Sequence, residues 1–326
     1  MKKLRWGLLS TARINRSLIP PLKASPRNEL AAVASRSAAQ AQSYAAEWGI
    51  PEAHGSYEDL LADPSIDVLY NPLPNHLHAS WTIRAAEAGK HVLCEKPLAL
   101  SVAEVDAIEA AARANTVVVA EAFMYRHHPR TMQVRQRIQS GEIGALQLIR
   151  GGFTFPLSDP DNVRWDPEMG GGGLWDVGCY PLSFARYVVG QEPLEVFGQQ
   201  VTGPTGVDVS FTALLRFPGD ILCQFDAGIR SPFRMEMSFV GSEGIMNLPV
   251  PFKPTEQSEI LIVRGEEEER IPVSGPSLYL GEIEDLADAV LSGTPSRVTL
   301  SDSRNNIAVL TALFQSAREN RPIPLG

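Results

Sequence analysis

Over its first 121 residues the chain alternates short apolar runs with segments carrying helix-start and helix-stop chemistry, and this alternation most limits the folds open to it. Residues 4–9 are an apolar run, and 13–24 reads as a helix in which Pro20 and Pro21 predict a kink or an early stop. Residues 30–35 are a second run. Ser37 with Gln40 then reads as a capping box for a helix that reaches Trp48 and stops at Gly49. Ser56 with Asp59 starts a short acidic helix, 66–70 is a third strand, and 71–74 a loop with Asn75 as the next N-cap. An alanine-rich helix closes on Gly89 and leads into a buried strand over 91–97. Ser101 with Glu104 caps a further helix to 114, and 117–120 is one more strand. Strands alternating with capped helices make βαβ units with right-handed crossovers, hence a parallel sheet.

The pattern stops near residue 121. Longer β-like runs follow at 145–155, 194–202, 207–217, 221–229 and 235–240, with Phe217-Pro218-Gly219-Asp220 as a hairpin turn. One helix, 174–189, interrupts them, and two more, 279–291 and 302–318, close the chain. The short acidic run Glu266 to Arg270 reads as a solvated turn. The fold class expected is α/β: a doubly wound parallel Rossmann sheet over 1–121, then an α+β domain over 122–326 with an open, largely antiparallel sheet. The C-terminal helices are free to pack back on the first domain.

With 326 residues, 44% hydrophobic and 21% charged, the chain has ample core for two domains. Its 38 acidic and 29 basic residues give a net charge of −9, without the basic excess of a nucleic-acid binder. No run approaches a membrane span, and the start lacks a signal peptide's apolar core. Cys94, Cys179 and Cys223 are too far apart for a zinc or Cys-x-x-Cys pattern. A cytoplasmic protein with no membrane or nucleic-acid partner is the expectation.

The run His91 to Pro97 puts Glu95 and Lys96 at the carboxyl end of a buried strand, where open α/β sheets bind ligands, and Pro97 stiffens the corner. A dinucleotide-binding turn should carry G-x-G-x-x-G after the first strand. Here Ser10-Thr11-Ala12-Arg13-Ile14-Asn15 replaces all three glycines. Ser10 and Ala12 are still small, and the Ser10 and Thr11 hydroxyls lie where a helix N-terminus favours an anion. Strand two ends at Ser35-Arg36 instead of an acidic residue. An acid there selects NAD, whereas an arginine beside a serine can hold a 2′-phosphate, so NADP is favoured with NAD as the alternative. The other reading of Arg36 is a plain surface arginine. Asn71, Pro72 and Leu73 should line the dinucleotide cleft, with His76 beside it or capping the helix. Asp176 and Tyr180 are four apart on a predicted helix and share a face, behind the run Gly170 to Gly173, which lets backbone pass close to a ligand. His76, His78, His127 and His128 make no convincing metal set, and His127-His128 is assigned to the start of a surface helix.

With Arg36, Glu95-Lys96-Pro97, Glu121-Ala122-Phe123-Met124-Tyr125-Arg126 and the stretch Gly171 to Tyr180, the chain resembles the glucose–fructose oxidoreductase/inositol dehydrogenase (Gfo/Idh/MocA) family. It is most similar to the branch holding NADP-dependent D-xylose dehydrogenases, dimeric dihydrodiol dehydrogenases and glucose–fructose oxidoreductase. That resemblance implies hydride transfer between a nicotinamide and a hydroxyl carbon of a sugar or cyclic diol, with aldose C1 oxidised to a lactone as the favoured case. It implies Tyr180 as acid/base, Lys96 as its electrostatic partner, and Asp176 orienting substrate hydroxyls and balancing the lysine. A phenol of reference pKa about 10 needs such a cation to ionise near neutrality.

Tyr125 and Arg126 are expected to line the substrate cleft. Trp165 packs on the nicotinamide or a sugar face, or else simply under a loop. No metal is required. A homodimer or higher homo-oligomer is expected through the C-terminal sheet. The competing functions are a nucleotide-binding redox regulator without turnover and an NAD-using glycosidase.

Overall fold

Five apolar runs of the N-terminal part, with one short edge strand, pair side by side in parallel because the segments between them are helices that must cross over the sheet. The structure is a computed structural model describing residues 3–325, and it divides into two units. The first comprises Met1–Phe123 with Tyr279–Arg304, the second Met124–Leu278 with Asn305–Gly326.

In the first unit the strands are β1 (Leu4–Leu9), β2 (Asn28–Ala34), β3 (Glu52–His54), β4 (Val68–Asn71), β5 (His91–Glu95) and β6 (Val119–Ala122). The helices are α1 (Asn15–Ala24), α2 (Ala38–Trp48), α3 (Tyr57–Ala62), α4 (Asn75–Glu87) and α5 (Val102–Ala114). Sheet order is β3-β2-β1-β4-β5-β6, so the strand order reverses between β1 and β4. Such a switch point opens a crevice at the carboxyl ends of the two strands. Helix ends follow the capping chemistry. The Ser37, Ser56 and Ser101 side chains accept from the amides of Gln40, Asp59 and Glu104, and Gly49 ends α2 in the left-handed conformation.

Three local expectations change. Helix α1 runs through both prolines to Ala24, because Pro20 and Pro21 each lose one donor but keep their carbonyls, and the Ser25 amide closes the helix on Pro21 O. Asn75 is the first helical residue and not the cap; Pro74 holds that position without a side-chain bond. The three-residue edge strand β3 carries no apolar run and was not expected.

A helix from the far end of the chain, α8 (Leu280–Ser292), belongs to this unit. Its Ile283, Leu286 and Ala287 join Leu18, Ile19 and Leu22 of α1 over Trp6, Leu8, Tyr70 and Leu93 of the sheet. Arg27 ties it down, with Nε on Glu284 Oε2 at 2.7 Å and Nη1 on Asp288.

The second unit holds α6 (Pro129–Gln139), β7 (Leu146–Thr154), α7 (Cys179–Val189), β8 (Glu195–Thr202), β9 (Asp208–Arg216), β10 (Leu222–Gly228), β11 (Arg234–Gly241), β12 (Ile245–Pro249), β13 (Gln257–Arg264), β14 (Glu267–Ser274), most of α9 (Leu300–Glu319) and β15 (Ile323–Pro324). The nine strands run β14-β13-β12-β11-β7-β10-β9-β8-β15. Every pair is antiparallel except β7 with β10, so the sheet is mixed and mostly antiparallel. Gly151 on β7 lets α7 lie close, since a Cβ there would stand 2.9 Å from Pro181 Cβ.

Of the acidic run Glu266 to Arg270, only Glu266 lies in the turn after β13. Glu267–Ser274 is strand β14, paired with β13, and its outward position leaves the acids in solvent. His127 and His128 are buried, not on a surface helix. His128 caps α6 by accepting from the Arg130 amide, and Gly275 packs against its ring.

Candidate functional site

The first unit presents the dinucleotide side. Ser10, at the end of β1, takes φ 106°, a conformation natural to the glycine it replaces. Its amide bonds Leu8 O and Ala34 O, and Asn15 Nδ2 donates to its carbonyl at 2.8 Å, so the turn is fastened without the third glycine. The Ser10 hydroxyl is buried with no partner among the described residues. The Gln40 side chain does not close the expected capping box; only its backbone amide takes part, donating to Ser37 Oγ. Its Nε2 donates to Thr11 Oγ1 at 3.0 Å, while its Oε1 accepts from Ser35 Oγ at 3.1 Å, tying the turn to the end of strand two. A groove of about 430 Å³ opens alongside, lined by Thr11, Arg13, Arg16, Gln40, Ser43, Tyr44 and Glu47. Arg13 and Arg36 are exposed, with Ala12 and Ile14 half-buried between the turn and α1. An orphaned hydroxyl at a helix N-terminus, beside two exposed arginines and two more hydroxyls, fits the phosphates of a dinucleotide.

The next two strand ends are locked to each other. Asn71 is fully buried, with Nδ2 donating to His78 O and Thr82 Oγ1 (both 3.1 Å) and Oδ1 accepting from the Leu73 amide. The His78 ring sits between Leu73 O at 2.6 Å and Pro97 O at 2.7 Å. Burial pushes its pKa down to about 4. A neutral ring has one N–H, so it donates to one of the two carbonyls at a time. Past the cis Lys96–Pro97 bond, the Leu98 amide donates to buried Glu121 Oε1 at 2.9 Å. Glu95 accepts from Tyr70 Oη at 2.6 Å and from the Lys96 amide at 3.3 Å. Burial, with Glu95 beside it, holds the Tyr70 hydroxyl far above the ordinary phenol range. Pro72 is buried beside Asn71, and His76 is half-buried with an Nδ1 that meets no partner among the described residues. His78, Gln40 and Glu121 were not singled out from sequence as site residues. A histidine two places after His76, facing two loops, left no local signal of its own.

The second unit carries the predicted pair Asp176 and Tyr180. Leu174–Gly178 form a wide π-type turn that runs straight into α7, so Asp176 and Tyr180 sit at the head of one continuous helix. Both are buried, at 7% and 5% exposure. Arg164 Nε donates to Asp176 Oδ2 at 2.6 Å, so the carboxylate has a counter-ion twelve residues away that the sequence did not show. Arg164 is itself placed by Asn162 Oδ1, which takes its amide, and its carbonyl accepts the Gly172 amide at 3.0 Å. The rings of Tyr125, Phe153 and Phe252 stand 5.4–5.8 Å from that of Tyr180, whose hydroxyl meets Met124 Sδ at 3.8 Å.

Tyr125 and Arg126 depart from the substrate-lining expectation. Tyr125 is 0% exposed and its hydroxyl donates to Tyr180 O at 3.3 Å, while Arg126 bonds Ser183 Oγ and lies over the Tyr187 ring. Both brace α7 from behind. Trp165 packs with Phe155 and Leu157 on Val207, Val209 and Ile229, its indole N–H on Asp159 O at 2.8 Å. The glycines before the helix face protein. A Cβ on Gly171 would lie 2.5 Å from Arg164 O, and one on Gly173 would lie 2.9 Å from Gly228 Cα. Lys96 stands on the first unit, and Asp176 with Tyr180 on the second.

Comparison with known proteins agrees over most of the chain. Residues 4–123 match the oxidoreductase family with an NAD-binding Rossmann fold, and residues 131–247 match the GFO/IDH/MocA C-terminal domain. The D-xylose 1-dehydrogenase (NADP(+)) 2 of Haloferax volcanii is 36% identical over 99% of this chain and 100% of its own. The trans-1,2-dihydrobenzene-1,2-diol dehydrogenase of Danio rerio is 33% identical over 97% of this chain and 96% of its own. Among solved structures, a 3-ketoreductase from Actinomadura kijaniata in complex with NADP and TDP-benzene superimposes with a TM-score of 0.92. It is 31% identical, covering 97% of this chain and 98% of that one. Among the described residues, no helix is long and apolar enough to cross a membrane.

Proposed function

The chain belongs to the Gfo/Idh/MocA oxidoreductase family, and from that premise we propose that it is a cytoplasmic, NADP-preferring dehydrogenase acting on a hydroxyl carbon of a sugar or cyclic diol, with aldose C1 as the favoured position. The observation that carries this reading is the head of α7, where a buried phenol and a buried, arginine-paired carboxylate stand four residues apart. The xylose and dihydrodiol dehydrogenases among its relatives support the substrate class, and exposed Arg36 beside Ser35 supports the 2′-phosphate. Leu214 and Leu222, both about half exposed on neighbouring strands β9 and β10, support pairing of two copies through that sheet.

When bound, the nicotinamide supplies a hydride acceptor at C4. The protein's part is the proton and the geometry. Tyr180 takes the substrate hydroxyl proton at its Oη as the carbon gives up hydride, and returns it in the reductive direction. A phenol of reference pKa about 10 needs a cation to ionise near neutrality, and in this reading Lys96 is that cation. Lys96 also stabilises charge developing on the substrate oxygen. Asp176, fixed by Arg164, accepts hydrogen bonds from neighbouring substrate hydroxyls and sets which carbon is presented.

The test is turnover of NADP with a panel of aldoses, inositols and trans-diols, and of NADPH with the corresponding lactones and ketones. Tyr180→Phe should lower kcat by about 10²-fold or more with the dissociation constant for NADP unchanged. Equal rates for the two proteins would remove Tyr180 from the reaction. Silence of the wild type in both directions would favour a regulator, and release of a free sugar without net NADPH would favour a glycosidase.

A further inference from the structure

The helix that carries Asp176 and Tyr180 starts without a cap of its own. Neither Gly173, before the π-type turn, nor Gly178, before α7, offers a side chain to the first amides. Those amides are donors that need acceptors. One acceptor comes from 34 residues away. Asp208, the first residue of β9 and 2% exposed, takes the Leu174 amide on Oδ2 at 2.7 Å. The chain closes around its carboxyl group. Gly172 has φ 105°, and a Cβ there would lie 2.0 Å from Asp208 Oδ1; a Cβ on Gly173 would lie 3.3 Å from Oδ2.

Resting on the proposed reaction, we propose that Asp208 is a positioning residue for it: from β9 it replaces the missing N-cap and fixes the pitch at which Asp176 and Tyr180 are presented. Its effect passes through the Leu174 amide and the first turn of the helix. The role needs an acceptor oxygen at the Oδ2 position and no net charge. An asparagine can therefore serve there and an alanine cannot.

The experiment compares Asp208→Ala, Asp208→Asn and wild type by hydrogen exchange at the Leu174 amide, by kcat and by NADP dissociation constant. Asp208→Ala should speed Leu174 exchange by about tenfold. It should also lower kcat by about tenfold or more at an unchanged NADP dissociation constant. Asp208→Asn should stay within about threefold of wild type in both. Fast exchange in Asp208→Ala with kcat intact would make the cap purely structural and overturn the proposal, as would unchanged exchange. Should Asp208→Ala fail to fold, Asp208→Asn decides alone: retained kcat supports the role, and a loss as deep as that of Tyr180→Phe with Leu174 still protected overturns it. If the wild type turns over nothing, the proposed reaction fails and a positioning role in it fails with it. The exchange data then still say whether the cap exists.

Discussion

Replacing Arg164 by methionine removes the counter-ion of Asp176 and keeps most of the side chain's apolar stem. The guanidinium Nε lies 2.6 Å from Asp176 Oδ2, the Arg164 side chain is 38% exposed and that of Asp176 10%. A hydrogen bond to a charged partner has a net worth of about 1.5–3 kcal/mol, and the exposure of the arginine screens it toward the lower half of that range. About 2 kcal/mol is therefore withdrawn from a carboxylate that has little water to fall back on. If Asp176 sets the substrate hydroxyls, that loss appears in transition-state binding. At 1.4 kcal/mol per factor of ten, kcat/KM for the sugar or diol should fall about 30-fold.

The NADP dissociation constant should stay within about twofold, because Arg164 is not among the residues proposed to hold the dinucleotide. Arg164→Lys keeps a charge but loses the planar geometry and should recover part of the loss. The assay is steady-state kinetics on the best substrate, with NADP binding followed separately by fluorescence. Wild-type kcat/KM in Arg164→Met, alongside an impaired Asp176→Asn, would refute the reasoning: Asp176 would then work without its arginine.

Two further outcomes follow from single side chains. Arg36→Glu should weaken NADP about 30- to 100-fold, through loss of a charge-assisted contact and added repulsion at the 2′-phosphate. NAD should change by less than about threefold, because it has no group there to repel. Equal effects on the two cofactors would place the 2′-phosphate elsewhere. The second concerns Asp208, whose pKa burial pushes up to about 7, with Asp176 adding to the rise. A carboxyl group raised in the folded state helps folding below its unfolded pKa, and that help is lost as pH climbs through the folded value. Between pH 4 and 8 the stability of the wild type relative to Asp208→Asn should therefore fall, by up to about 4 kcal/mol. Denaturant unfolding of both proteins at the two pH values measures it. A pH-independent difference would show that Asp208 titrates as in water.

Helix ends were legible in the sequence because capping is local chemistry. Ser37, Ser56 and Ser101 each bond an amide three residues on, and Gly49 and Gly89 take a conformation that only glycine adopts freely. Central strands were legible because a sheet covered on both faces makes its strands apolar throughout. The edges were not. Strand β3 shows only Glu52-Ala53-His54, and β14 puts Glu267, Glu268 and Glu269 in solvent while its backbone pairs with β13, so neither shows an apolar face to read. In the site, Asp176 and Tyr180 were legible as a helical pair, but what holds each was not. Arg164 is twelve residues from Asp176, Asp208 is 34 from Leu174, Gln40 is 29 from Thr11 and Glu121 is 23 from Leu98. At those separations no periodicity links the partners, and only the closed fold reveals them.

The two turns that precede the functional helices show why glycine content misleads in both directions. Before α7 the glycines suggest close approach of a ligand, yet at 171, 172 and 173 the atoms a Cβ would strike are Arg164 O, Asp208 Oδ1 and Gly228 Cα. The steric demand there comes from docking the helix head onto β9 and β10, and it would persist with no substrate present. Before α1 the glycines are missing, yet Ser10 adopts φ 106° all the same. Holding a non-glycine residue there costs on the order of 1–3 kcal/mol, so the surroundings must impose it. They do so through the two bonds of its amide and the clasp of Asn15 on its carbonyl. What the serine adds in exchange is a hydroxyl, buried and without a partner among the described residues, ahead of a helix. A phosphate oxygen at that point would give the strained backbone and its unsatisfied donor a physical reason, and would let the turn dispense with its glycines.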